Sequence, residues 1–304
     1  MSEFAPDLVD LSEKDWFAAL DRLADEHGYL EHLGHEHVAV LTDAGPQLLV
    51  TFETYPDIVE STDTEEPRGF HFVKEHGWSH LAIIARGDSM FRTREMYGYF
   101  DRLIDDGFFE DFDSVLFYGH HVGGYAACAY SVCAPGSQVL ALRPMATLSP
   151  RVAPWDERHL ASRRLDWTSR FGYAPDMIEA TQRATLIYDP RVREDAMHAA
   201  LFDRSNVVKL RVPSLGTDIE TMLDNFGLTR TLIELAMAGV LSEGHFNRLY
   251  RKRRQSVSYL RNLDQFLIQK GRTGLSRQLC ETMLVELPHR YFRRRLAQLA
   301  ELDA

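Results

Sequence analysis

The chain has 304 residues, 45% of them hydrophobic and 26% charged, with 19 Gly and 12 Pro. Such a length suits one large domain plus an appended module, and such a composition excludes collagen-like, low-complexity and disordered chains. The net charge of −11 is split: residues 1–227 hold 20 basic against 38 acidic side chains (−18) and residues 228–304 hold 14 against 7 (+7), so an acidic body argues against nucleic acid as the main partner.

The first residues, Met1-Ser2-Glu3-Phe4-Ala5-Pro6-Asp7, lack the basic and apolar stretches of a secretory signal. No run approaches the roughly 18 apolar residues of a membrane helix, so a cytoplasmic protein without a membrane span is expected. His27, His32, His35 and His37 follow, with Glu26, Glu31 and Glu36. Imidazoles and carboxylates ligate zinc or nickel, but His27 and His32 stand five apart on a presumed helix and share no face. A solvated polar segment and no metal is the expectation.

Strands are predicted at His37–Leu41, Gln47–Phe52, His80–Ala85, Ser114–Tyr118, Val139–Arg143, Thr185–Tyr188 and Val207–Val212. The first two are separated only by Thr42-Asp43-Ala44-Gly45-Pro46, too short for a crossover helix, which predicts an antiparallel hairpin at one edge. Helices at Glu66–His76, Met90–Asp106, Tyr125–Cys133 and Asp195–Phe202 alternate with the rest, the pattern of an α/β protein with a mostly parallel sheet. Residues 144–182 are rich in Pro and aromatics and have no clear period; they are expected to form a lid or cap over the sheet's C-terminal edge, where open α/β sheets bind ligands. After Val212 only helices follow, at Asp218–Phe226, Thr229–Ala238, Glu243–Arg253, Ser256–Gln269, Gly274–Glu286 and His289–Glu301. The expected boundary at Phe226-Gly227 separates an α/β domain, 1–227, from a basic α-helical module, 228–304.

The richest stretch is Ser114-Val115-Leu116-Phe117-Tyr118-Gly119-His120-His121-Val122-Gly123-Gly124-Tyr125-Ala126-Ala127. An apolar strand runs through Gly-x-x-x-Gly-Gly straight into a small-residue helix. It is neither GxGxxG nor a P-loop; by residues alone it also fits a plain Gly-rich turn of another doubly wound fold. It resembles the nucleophile elbow of the α/β-hydrolase fold, in which small residues two before and two after the nucleophile permit a strained strand-to-helix turn. The resemblance covers roughly residues 35–226. It places His121 where the family has its nucleophile, Asp189 at the acid position and Thr217 at the base position, where Gly-His is common. Two of the three positions are therefore wrong for hydrolysis.

The resemblance further implies an oxyanion hole built from the Val122 N–H, beside His120 and Gly123, with a second N–H from Glu53 or Thr54. Similar bacterial proteins with a Gly-Gly-Tyr elbow are linked to cell-surface glycans and their export, which implies a small-molecule ligand of saccharide or acyl-glycan type. The expected function is binding without catalysis and without cofactor. The alternative is an active esterase using His121 as a base oriented by Asp189. A phosphoadenosine phosphosulfate reductase would need a Ser-Gly-Gly-x-Asp-Ser loop and a Glu-Cys-Gly-x-His tail, and neither is here.

His198 and His245 could replace the missing base but read as helix residues. Cys128, Cys133 and Cys280 form no CxxC and read as reduced, buried thiols. Arg251-Lys252-Arg253-Arg254 and Arg293-Arg294-Arg295 read as solvated faces, with docking on the acidic α/β part of the chain or on an acidic protein partner as the sharper expectation and RNA or an anionic membrane surface behind it.

Overall fold

A computed structural model describes residues 4, 7–61, 63–87 and 89–302. Its centre is an eight-stranded sheet made of β1 (Gly28–Leu33), β2 (His37–Thr42), β3 (Gln47–Thr54), β4 (Ser79–Ala85), β5 (Ser114–His120), β6 (Gln138–Leu142), β7 (Arg183–Tyr188) and β8 (Val207–Arg211). The spatial order is β1-β2-β4-β3-β5-β6-β7-β8. Every pair from β4 to β8 is parallel, and β2 runs antiparallel to both β1 and β4.

The antiparallel edge exists, but its partners differ from the expected ones. β2 pairs with β1 on one side and β4 on the other, so β4 lies between β2 and β3. The physical reason is burial: all six residues of β2 are buried, and such a strand needs a neighbour on both sides. β1 escaped prediction because Gly28-Tyr29-Leu30-Glu31-His32-Leu33 is an edge strand with only Leu33 fully buried. The presumed helix carrying His27 and His32 ends at His27, and His32 belongs to β1. His37 is not solvated; it is fully buried on β2 and meets the Ser89 hydroxyl at 2.5 Å.

Helices in chain order are α1 (Glu13–His27), α2 (Tyr55–Ser61), α3 (Phe70–His76), α4 (Arg94–Asp105), α5 (Val122–Tyr130), α6 (Ala174–Met177), α7 (Arg193–Leu201), α8 (Ile219–Asn225), α9 (Thr229–Met237), α10 (Glu243–Leu249), α11 (Val257–Gln269), α12 (Thr273–Glu286) and α13 (Arg290–Leu302). α1 starts where Ser12 Oγ accepts the Asp15 N–H, and α4 starts where Thr93 Oγ1 accepts the Met96 N–H, the side-chain caps that end-on helices require.

Alternation along the strands feeds apolar clusters on both faces of the sheet. Val115 and Phe117 of β5 point to one face, with α4, α5 and the 144–182 segment. Leu116 and Tyr118 point to the other, where they share a cluster with Leu228, Leu232 and Ile233 of the α9 region and, further out, Cys280 and Phe292. Chain on both sides of Gly227 thus buries one apolar surface. Cys128, Cys133 and Cys280 are all buried thiols.

Candidate functional site

β5 delivers the chain to the C-terminal edge of the sheet at His120, and α5 begins two residues later. The residue between, His121, has φ 54 and ψ −107, a sparsely populated conformation that costs of order 1–3 kcal/mol and persists only when the surroundings enforce it. Those surroundings are glycines under close backbone. A Cβ on Gly119 would lie 2.2 Å from the Gly123 carbonyl oxygen, and one on Gly123 would lie 2.0 Å from the Phe52 carbonyl oxygen at the end of β3. On Gly124 it would meet the Leu142 oxygen at 2.9 Å, and the same oxygen accepts the His121 N–H at 2.8 Å. The elbow is therefore wedged between the ends of β3 and β6 and admits no side chain at those positions.

At the tip, His121 Nε2 faces His159 Nε2 at 3.2 Å, so one ring donates and the other accepts through an unprotonated nitrogen. Burial holds the His121 imidazole down to about 2, reinforced by Arg143 and then by His120 and His159; the ring is neutral at all ordinary pH. α5 has no side-chain cap, and the N–H groups of Val122 and Gly123 stand in its first turn, where no helical acceptor exists. They make the mouth of α5 attractive to an oxyanion or carbonyl oxygen.

β3 continues in register with β4 through Thr54 and α2 starts at Tyr55, so Glu53 and Thr54 stand in strand rather than in a loop. The Glu53 carboxylate accepts from Thr51 Oγ1 at 2.6 Å and from the Arg68 N–H at 3.0 Å, and burial raises its pKa. Thr54 Oγ1 accepts the Asp57 N–H at 3.2 Å, tying down the start of α2. The His120 ring centroid lies 6.1 Å from that of His121, and its Nδ1 is 3.9 Å from Glu220 of α8. Its Nε2 is buried with no hydrogen-bond partner, and burial lowers its pKa.

Asp189 follows β7 and is buried, but its carboxylate is taken up by backbone: Oδ1 accepts the Arg191 N–H and Oδ2 the Gly216 N–H, each at 2.8 Å. This joins the acid position to the loop that holds the base position. Thr217, next in that loop, is exposed; its hydroxyl donates to Asp218 at 3.3 Å and its carbonyl accepts from Arg143 Nη1 at 2.7 Å.

Arg143, His159 and Arg158 are the site residues that sequence reasoning missed. Arg143 follows β6 with φ 49, at the same sheet edge as the elbow, and pairs through Nε with Asp195 at 2.7 Å. Arg158 grips Asp195 at 2.6 Å and Asp156 at 2.7 Å, and Asp156 accepts from His198 Nε2 at 2.8 Å. His198 Nδ1 in turn accepts the Ala146 N–H at 3.2 Å. Both nitrogens of His198 are thus engaged in fixing residues 144–182 to α7. His245 sits apart, with Nδ1 2.8 Å from the Val240 carbonyl. A depression of about 420 Å³ lined by Leu103, Phe109, Ser114 and Ser137 lies at the opposite, N-terminal rim of the strands, far from this chemistry.

No protein-family model and no curated protein matches the chain. Among solved structures it is similar to an esterase of Pyrobaculum calidifontis, 12% identical over 78% of this chain and 94% of that one, TM-score 0.47. A capsule O-acetyltransferase of Neisseria meningitidis serogroup A is 13% identical over 66% and 92%, TM-score 0.44. A glycosylation-associated protein complex of Streptococcus agalactiae is 14% identical over 68% of this chain, TM-score 0.43, and the match spans 46% of that chain.

Proposed function

We propose that the chain is a hydrolase-like binding protein whose triad positions, His121, Asp189 and Thr217, have lost acyl-transfer chemistry while the elbow keeps its binding geometry. The observation that carries this reading is the pairing of an enforced, strained elbow with tied-off partners. His121 keeps φ 54 and ψ −107, while both Asp189 oxygens are occupied by backbone N–H groups. A nucleophile needs a base and the base an orienting acid; Thr217 accepts no proton at neutral pH, and His121 faces a second imidazole instead of a carboxylate.

What remains is a polar mouth. The N–H groups of Val122 and Gly123, in the first turn of α5 where no side chain caps the helix, suit a carbonyl or anionic oxygen. An O-acylated saccharide supplies such an oxygen, in keeping with the Gly-Gly-Tyr elbow resemblance. Isothermal titration of O-acetylated against de-acetylated oligosaccharides tests the reading. Binding should prefer the acetylated form and weaken roughly tenfold or more in His121→Trp, whose larger ring fills the mouth; equal affinity in that variant removes the elbow as the site.

A further inference from the structure

His121 and His159 come from separate parts of the chain and meet nitrogen to nitrogen, with Nε2 atoms 3.2 Å apart and ring centroids 4.9 Å apart. Two rings sharing one proton in a straight line at that spacing would hold their centroids about 5.5 Å apart. The ring axes are therefore bent off the line between the nitrogens, as the axes of two ligands to one ion are. Two zinc–nitrogen bonds of about 2.0–2.1 Å at the tetrahedral angle separate their nitrogens by about 3.3–3.4 Å, whereas a square-planar ion draws them to about 2.9 Å. The observed spacing fits the tetrahedral case.

Both imidazoles are delivered by backbone that is already fixed. The His121 N–H donates to the Leu142 carbonyl at 2.8 Å, and its own carbonyl accepts the Tyr125 N–H at 3.0 Å. The His159 carbonyl accepts the Arg163 N–H at 3.1 Å, and the residue before it, Arg158, is locked to Asp156 and Asp195 at 2.7 and 2.6 Å. Ligands held in place before binding lose little freedom when they bind. Both rings are half-buried, so an ion reaches them from solvent. The nearby guanidinium groups of Arg143 and Arg158 are balanced by the carboxylates of Asp195 and Asp156, four groups without net charge.

We propose that His121 and His159 hold a zinc ion between their Nε2 atoms. Imidazole nitrogen is a preferred zinc ligand. Among the described residues no group of three or more His, Cys, Asp and Glu side chains is placed to hold a metal, so the protein supplies two ligands. The remaining positions are open to water or to an oxygen of a ligand, which separates this site from the closed, four-ligand structural kind. The proposal stands on the imidazole pair and does not depend on the saccharide reading.

Equilibrium dialysis of the full chain, stripped of metal by a chelator, against zinc chloride tests it, with thermal melts in parallel. The parent should bind one equivalent and melt higher with zinc than without. His121→Ala and His159→Ala should each weaken that binding roughly tenfold or more. His159→Gln keeps an amide that hydrogen-bonds His121 but ligates zinc poorly; it should lose the zinc-dependent rise while its metal-free melt stays near the parent's. His32→Ala with His35→Ala, both exposed, should bind like the parent. Cobalt in place of zinc should give the intense visible absorption of a four-coordinate ion in the parent and lose it in His159→Gln. Parent-like zinc binding by His159→Gln overturns the proposal, as does no binding by the parent. Loss of binding through the His32/His35 pair also overturns it, marking an adventitious ion only.

Discussion

Gly123 illustrates how much of the elbow is decided by single atoms. Its missing Cβ is the space in which the Phe52 carbonyl sits, so Gly123→Ala must push β3 away from α5. We expect it to destabilise the protein by about 3 kcal/mol or to abolish folding, measured by urea unfolding. His121→Gly should do the reverse: it relieves the φ 54 backbone and should stabilise by about 1 kcal/mol, and a loss of that size instead would show the backbone unstrained. Buried histidines set the acid limit. His80 is held down to about 3 and His37 to about 4 by burial, while the unfolded chain takes up these protons near 6.5. Their contribution is therefore complete above about pH 6.5 and shrinks as pH falls toward 4, by about 1.4 kcal/mol per pH unit for each group. His37→Gln should flatten that slope in pH-dependent unfolding, whatever it does to stability at pH 7; an unchanged slope would contradict a neutral buried His37. The elbow was legible in the sequence because its steric demand fixes small residues at fixed offsets. The His159 that meets its tip was not, because it lies 38 residues away in a segment with no period to place it.

Elements were legible in proportion to their burial. The strands with continuous apolar runs, β4 through β7, stand where alternation with helices put them; β1, polar and at the edge, left no signal, and with β1 unseen β2 had only β3 to pair with. A short link fixes chain direction, but not which strand slips between. The 144–182 excursion is held by charges that no local pattern reveals: Arg143 and Arg158 share Asp195, and Asp156 links Arg158 to His198. Asp195 is fully buried, so Asp195→Ala removes the carboxylate partner of Arg143 and leaves Arg158 with Asp156 alone. The expected cost is about 3–5 kcal/mol, accompanied by earlier proteolysis within 144–182; an unaltered melt and cleavage pattern would show the pairs to be incidental.

Over the whole molecule, charge and packing divide the chain differently. Charge changes sign at Gly227, yet Leu228, Leu232 and Ile233 share an apolar cluster with Leu116 and Leu140 of the sheet. A chain ending at Gly227 exposes that face, at roughly 1.5–3 kcal/mol for each large side chain uncovered, and should not unfold cooperatively; a truncated chain with a sharp, parent-like melt would contradict this packing. The central claim concerns the elbow: geometry kept, chemistry lost. Its most direct test is turnover of short acyl esters by the intact chain beside His121→Ala. We expect neither to exceed the uncatalysed rate, whereas turnover by the parent chain that disappears in His121→Ala would show His121 to be a working base and contradict the account.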